Sequence, residues 1–275
     1  MIVDSHVHFW KYDPVRDAWI DKTMGAIRRD FSPADLSKAC RGLGVDAFVA
    51  VQADPSVAET DFLLGLAGAT PEIRGVVGWL DLCGPGLAAQ LETYTDAPAL
   101  KGLRHIVQAE PPGFMDRPDF RRGMATLAPT ALTYDVLVYA PQLEEAARLV
   151  RDFPNQAFVL DHLGKPNIRE GRFKEWKAGL EKLAATPNCC CKLSGLVTEA
   201  PWESWTHDLL RPYLETALEL FGPTRLLFGS DWPVCLLAAN YGQVLGLVGD
   251  FIKSLSAAEQ QLILCENACS FYRLN

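Results

Sequence analysis

The stretch richest in chemistry is DSHVHFW, residues 4–10, where His6 and His8 stand two apart. In an extended strand, residues i and i+2 project from one face. Both imidazoles therefore point the same way, with Asp4 one step deeper. Two neutral imidazoles so placed share a metal ion or polarise one carbonyl oxygen. A third histidine, His162, lies in LDHLGKP, and a carboxylate, Asp231, in FGSDWP. A charge at the rim of an apolar run is costly unless paired, and imidazoles or a cation would pair it. Asp231 beside water is a general base, and the imidazoles stabilise the oxyanion that follows. Once protonated, the same acid returns its proton to the leaving oxygen. The bland alternatives are loop histidines, a core histidine bonded to a carbonyl, and an aspartate that caps the next helix.

Other polar residues close further apolar runs. Arg104 and His105 are neighbours, so they point to opposite faces and only one reaches a common mouth. Both are carried as substrate contacts, together with Tyr139, Gln52, and Lys192 and Ser194 of CKLSG. An arginine there suits a carboxylate or a hydroxyl-rich molecule. Asp54 and Asp81 are candidate hydroxyl binders, and Trp10 and Trp232 candidate walls.

These residues need elements to position them. Eight apolar runs read as strands: Ile2 to Phe9, Asp46 to Ala53, Ile73 to Leu82, Leu100 to Gln108, Tyr134 to Ala140, Ala157 to Gly164, Cys189 to Leu196 and Leu226 to Pro233. Several are rich in Val, Ile, Leu and Phe with little alternation, as strands covered on both faces are. Helical patterns separate them: Ser32 to Leu43, Val57 to Ala69, Pro118 to Leu127, Gln142 to Asp152, Phe173 to Ala185 and Leu209 to Phe221. Two more, Tyr241 to Lys253 and Ser256 to Tyr272, follow the last strand. SPAD and SAAE supply N-caps. Eight strands alternating with helices in 275 residues predict one α/β domain over residues 1–275, a (β/α)8 TIM barrel. An open doubly wound sheet is the alternative, but no GxGxxG or Walker glycine loop follows an early strand. In a barrel, catalytic groups sit at the C-terminal ends of strands, where His6, His8, His162 and Asp231 all fall.

The totals narrow the partners. A net charge of −8 argues against nucleic acid or an anionic membrane surface. Eight cysteines include three in a row and no CxxC pair, which suits neither a disulfide framework nor a zinc ribbon. No signal peptide or membrane-length apolar run is present, so a reducing, cytoplasmic setting is expected. The expected partner is a small molecule, and oligomeric state is not legible.

The ordered set DSHVHFW, KGLRH, DHLGKP, KLSG and FGSDWP resembles the amidohydrolase superfamily, and within it the sugar-lactonase branch. The resemblance runs to ENACSFYRL at the end of the chain. It implies hydrolysis of a cyclic ester, an aldonolactone, to the hydroxy acid, in carbohydrate catabolism. Asp231 then matches the water-activating carboxylate, and His6, His8 and His162 the carbonyl-polarising or metal-binding set. No lysine stands at the end of the fourth strand to bridge two metals, and Tyr139 stands where many relatives have a histidine ligand. At most one divalent ion is therefore implied, zinc first, held by His6, His8, His162 and Asp231 and dispensable in some members. No organic cofactor is implied. The rival readings are a metal-dependent decarboxylase of an aromatic or muconate-type acid, a silent ligand-binding barrel and a metal nuclease. The loops Asp13 to Asp30 and Glu110 to Pro118 are expected to set specificity.

Overall fold

The computed structural model describes residues 1–274; Asn275, the last residue of the expected domain, lies outside them. Eight strands form one sheet in sequence order: β1 (Ile2–Val7), β2 (Val45–Val51), β3 (Ile73–Gly78), β4 (Leu100–His105), β5 (Thr133–Val136), β6 (Phe158–Leu160), β7 (Cys189–Leu193) and β8 (Leu226–Phe228). Every neighbouring pair is parallel. The ring closes at its upper rim through a parallel bridge between Val7 and Trp232. There the His8 N–H donates to Trp232 O at 2.7 Å, and the Asp231 N–H donates to His6 O at 2.9 Å. Helices alternate with the strands, giving the expected (β/α)8 barrel. Among the described residues no helix is long and apolar enough to cross a membrane.

The helices form where the caps predicted. Ser32 and Asp35 make a capping box with Pro33 at the first helical position, and Ser256 and Glu259 make another. Several boundaries differ from the sequence reading, and a helix over Leu87–Thr93 lies between β3 and β4 where none was expected. Strands β5, β6 and β8 stop four or five residues before their apolar runs do, because the runs continue into rim turns that are largely buried without being extended. The expected helix Ser256 to Tyr272 is three pieces, Ala257–Gln261, a π-helical turn Leu262–Glu266, and Asn267–Tyr272.

Two apolar layers hold the barrel. The larger lies between strands and surrounding helices. The smaller is inside the ring: Val3, Val49, Val77, Val159 and Leu227 meet Cys265, Ala268 and Tyr272 of the C-terminal helical segment, which plugs the lower end. Above this plug the interior turns polar, and that change makes the site.

Candidate active site

Strand β1 delivers its two histidines through an irregularity. Its register against β2 shifts between Asp4 and Val7. A shift of this kind breaks simple alternation, so Asp4 does not share the histidine face as expected. Its carboxylate instead stitches the ring closed, accepting from the Ser230 N–H at 2.9 Å, the His6 N–H at 3.1 Å and the Tyr241 hydroxyl at 2.7 Å. Burial pushes Asp4 up to about 6 against those hydrogen bonds.

At the upper end of the ring, four residues from three strand ends converge. His6 Nε2 and His8 Nε2 are 3.1 Å apart. Asp231 Oδ1 lies 3.5 Å from His8 Nε2 and 3.9 Å from both His6 Nε2 and His162 Nε2. His162 and Asp231 both adopt left-handed backbone, φ 53° and 58°. Such conformations are strained for these residues and persist where surrounding structure enforces them, often at functional sites. His162 opens a left-handed turn, Asp161–Gly164, directly after β6. Its Nδ1 sits 2.8 Å from Ser194 Oγ. Gly195 permits this packing: at φ +68°, a Cβ there would lie 2.7 Å from the imidazole.

All four residues are buried. Burial lowers the pKa of His6 and His8 and pushes His162 down to about 4, with the nearby carboxylates opposing it. The imidazoles are therefore neutral near pH 7. Burial alone would raise Asp231, but in the acid range the protonated rings of His162, His8 and His6 outweigh it and hold the carboxyl well below the usual range. His8 Nδ1 is 2.7 Å from Val51 O, which can only accept, so Nδ1 carries the proton and Nε2 presents a lone pair. That lone pair faces the Asp231 carboxylate at 3.5 Å. Two acceptors so opposed call for a proton or a cation between them.

Beneath the rim lies a charged stack that sequence reasoning missed. Lys192 donates to Asp135 Oδ2 at 2.6 Å and lies 3.0 Å from Asp161 Oδ1 and 3.1 Å from His6 Nδ1. Burial pushes Asp135 up to about 6 against the pull of Lys192, and the Tyr272 hydroxyl donates to it at 2.7 Å. Asp161 is held low despite burial by Lys192, His6 and Arg104. Arg104 donates to Asp161 at 2.9 Å, contacts Gln52, and brings Nη1 to 3.3 Å from His6 Nε2. With neutral imidazoles, two cations, Arg104 and Lys192, meet three carboxylates, Asp135, Asp161 and Asp231, which leaves a negative excess. Asp161 was on view within DHLGKP and Asp135 within the fifth apolar run; nothing in either pattern separates a buried acid from a rim acid.

Several expected contacts move accordingly. Arg104, not His105, faces the site; His105 bonds Glu110 at 2.8 Å and stacks on Phe114. Lys192 and Gln52 are fully buried below the cavity floor, so neither is placed to touch substrate. Ser194 is likewise beneath it, bonded to His162. Tyr139 and Asp54 do line the cavity, whereas Asp81 turns away to bond the Cys83 and Gly84 N–H groups. Trp10 is a wall, but Trp232 is buried against Phe9 and Phe31. The cavity itself measures about 430 Å³, with His8, His162, Asp231 and Arg104 at its base. His6 is buried and does not line it.

The donor set fits a divalent cation. Donor atoms of His6, His8 and Asp231 all lie within 4.8 Å of one another. Their separations bracket the roughly 3.3–3.6 Å edges of a tetrahedral site with about 2.0–2.2 Å bonds, and the lone pair of His8 and the negative excess point the same way.

The family model for amidohydrolases matches residues 3–274. The chain belongs to the amidohydrolase family. This amidohydrolase is 42% identical to an L-fucono-1,5-lactonase of Burkholderia multivorans, covering 99% of this chain and 96% of that one. It is 34% identical to an L-fucono-1,5-lactonase of Burkholderia ambifaria, with the same coverage. Among solved structures, an amidohydrolase from Burkholderia multivorans with bound zinc superposes with a TM-score of 0.97 at 41% identity over the whole of both chains.

Proposed function

We propose that this amidohydrolase opens a sugar-derived lactone, an aldonolactone of the L-fuconolactone or L-rhamnonolactone kind, to its hydroxy acid. The observation that carries the reading is one ionised carboxylate, Asp231, set beside the neutral imidazoles of His8 and His162 and the Arg104 guanidinium at the base of a cavity, with His6 beneath them. The similarity to two L-fucono-1,5-lactonases across the whole chain supports the substrate class.

The lactone ring enters with its carbonyl toward the base of the cavity. Arg104 supplies permanent positive charge there, and His162 supplies an imidazole whose Nδ1 is held by Ser194. Asp231 orients the attacking water and takes its proton. Its low pKa makes it a weak base, so attack depends on stabilising the developing oxyanion in step with proton transfer. The protonated acid is correspondingly strong and passes its proton to the ring oxygen as the C–O bond breaks. Zinc is the ion we assign, with His6, His8 and Asp231 as holders and His162 adjacent; when bound it supplies Lewis acidity toward water and carbonyl. Zinc in the related Burkholderia multivorans structure supports that assignment. Eight cysteines without a disulfide support a cytoplasmic setting.

The test is a lactone panel read with a pH indicator. Wild type turns over hydroxylated lactones, and Asp231→Asn loses at least about 1000-fold in kcat. No turnover by folded wild type across the panel ends this reading. Carbon dioxide release from aromatic or muconate-type acids would establish the decarboxylase in its place.

A further inference from the structure

The cavity that holds Asp231 also carries a second pair of charges in its wall, Lys165 and Glu199. Both are placed by the same backbone device. The turn after β6 is left-handed from His162 through Lys165, whose φ is +46°, and the Lys165 N–H donates to His162 O at 2.8 Å. With three residues per turn, positions i and i+3 share a face, so Lys165 projects on the same side as His162. Gly195, packed under the His162 ring, starts the short helix Leu196–Glu199 and brings Glu199 to the same wall.

The pair is not closed. Lys165 Nζ and Glu199 Oε1 are 3.9 Å apart, beyond hydrogen-bond range, with the side chains 18% and 20% exposed. Neither makes a side-chain hydrogen bond to another described residue, although the ammonium lies 5.5 Å from the Tyr139 ring centre. A hydroxyl seated between them would accept from the ammonium and donate to the carboxylate, satisfying both. Burial raises the Glu199 carboxyl, with Lys165 opposing. Counted over the lining, the cations Arg16, Arg104 and Lys165 equal the carboxylates Asp54, Glu199 and Asp231. Before any bound cation is counted, the side chains of this lining leave no spare positive charge for an anionic substrate.

We propose that Glu199 and Lys165 are the specificity-determining pair of this site, gripping one ring hydroxyl of a neutral lactone and turning away rings with a carboxylate there. This rests on the lactonase reading above and adds which residues select the substrate. The experiment compares wild type with Glu199→Gln on three probes: a neutral polyhydroxylated δ-lactone, unsubstituted δ-valerolactone and a carboxylated δ-lactone. The readout is kcat/KM for each substituted ring divided by that for δ-valerolactone. Glu199→Gln should lower the hydroxylated ratio about 10- to 100-fold, the worth of one charged hydrogen bond, chiefly through KM. It should raise the carboxylated ratio, because the repelling charge is gone. If either ratio stays put, or both move the same way, the inference is overturned. Failure of the lactonase reading shows elsewhere: wild type itself would then open none of the three rings.

Discussion

Gly195→Ala perturbs the site through a single methyl group. The new Cβ would sit 2.7 Å from His162 Cγ and Nδ1 and 2.8 Å from its Cβ. Ordinary contact begins near 3.4 Å, so the imidazole must retreat by about 0.7 Å, against its 2.8 Å contact with Ser194 and its packing on His6. A misplacement near 1 Å at a reacting centre costs about 100-fold in rate, so kcat should fall about 10- to 100-fold. Alanine at φ +68° also carries roughly 1–2 kcal/mol of backbone strain. Gly171 separates the two effects: its φ is +66° and nothing lies within 4 Å of a Cβ there. Gly171→Ala should show the strain alone. Urea denaturation and lactone hydrolysis measure both. If Gly195→Ala keeps kcat/KM within about threefold while Gly171→Ala behaves as expected, His162 is not held as described.

Lys192→Met leaves two buried carboxylates short of their cation and should destabilise the fold by about 3–5 kcal/mol. Asp135→Asn in the same chain should restore part of that loss; denaturant midpoints decide it. In chelator-treated protein, His162 titrates near 4 folded against about 6.5 unfolded. The unfolded chain therefore takes up the proton first, so stability falls as pH drops from about 6.5 to 4, by about 3 kcal/mol from this group. His162→Gln should remove that much of the slope, and an unchanged slope would contradict the burial argument. Zinc added to chelated protein should raise Tm in a saturable way, worth about 2.7 kcal/mol at a hundredfold excess over Kd. That shift should vanish in His8→Gln; a shift that survives places the ion elsewhere.

Much was readable before folding. Eight apolar runs alternating with capped helices dictate a parallel closed sheet, and in such a barrel the residues ending the runs share one rim. His6, His8, His162 and Asp231 were therefore locatable from residue type and spacing alone. Position in the ring is a different matter. Alternation put Asp4 beside the histidines, but the register shift in β1 turned it to Ser230 and Tyr241. Adjacent Arg104 and His105 were equivalent on paper, and only the strand's rotation in the ring chose Arg104. Depth was invisible as well: Lys192, Gln52 and Ser194 read as rim residues, yet their side chains lie below the cavity. The ion stack of Asp135, Asp161 and Lys192, with Tyr272 rising from a helix 137 positions away, joins segments that have no local relation. Local pattern determines element type because propensity and periodicity act over a few residues. Which charges meet, and how far from water, depends on long-range closure, so it was decided only when the ring shut on its C-terminal plug.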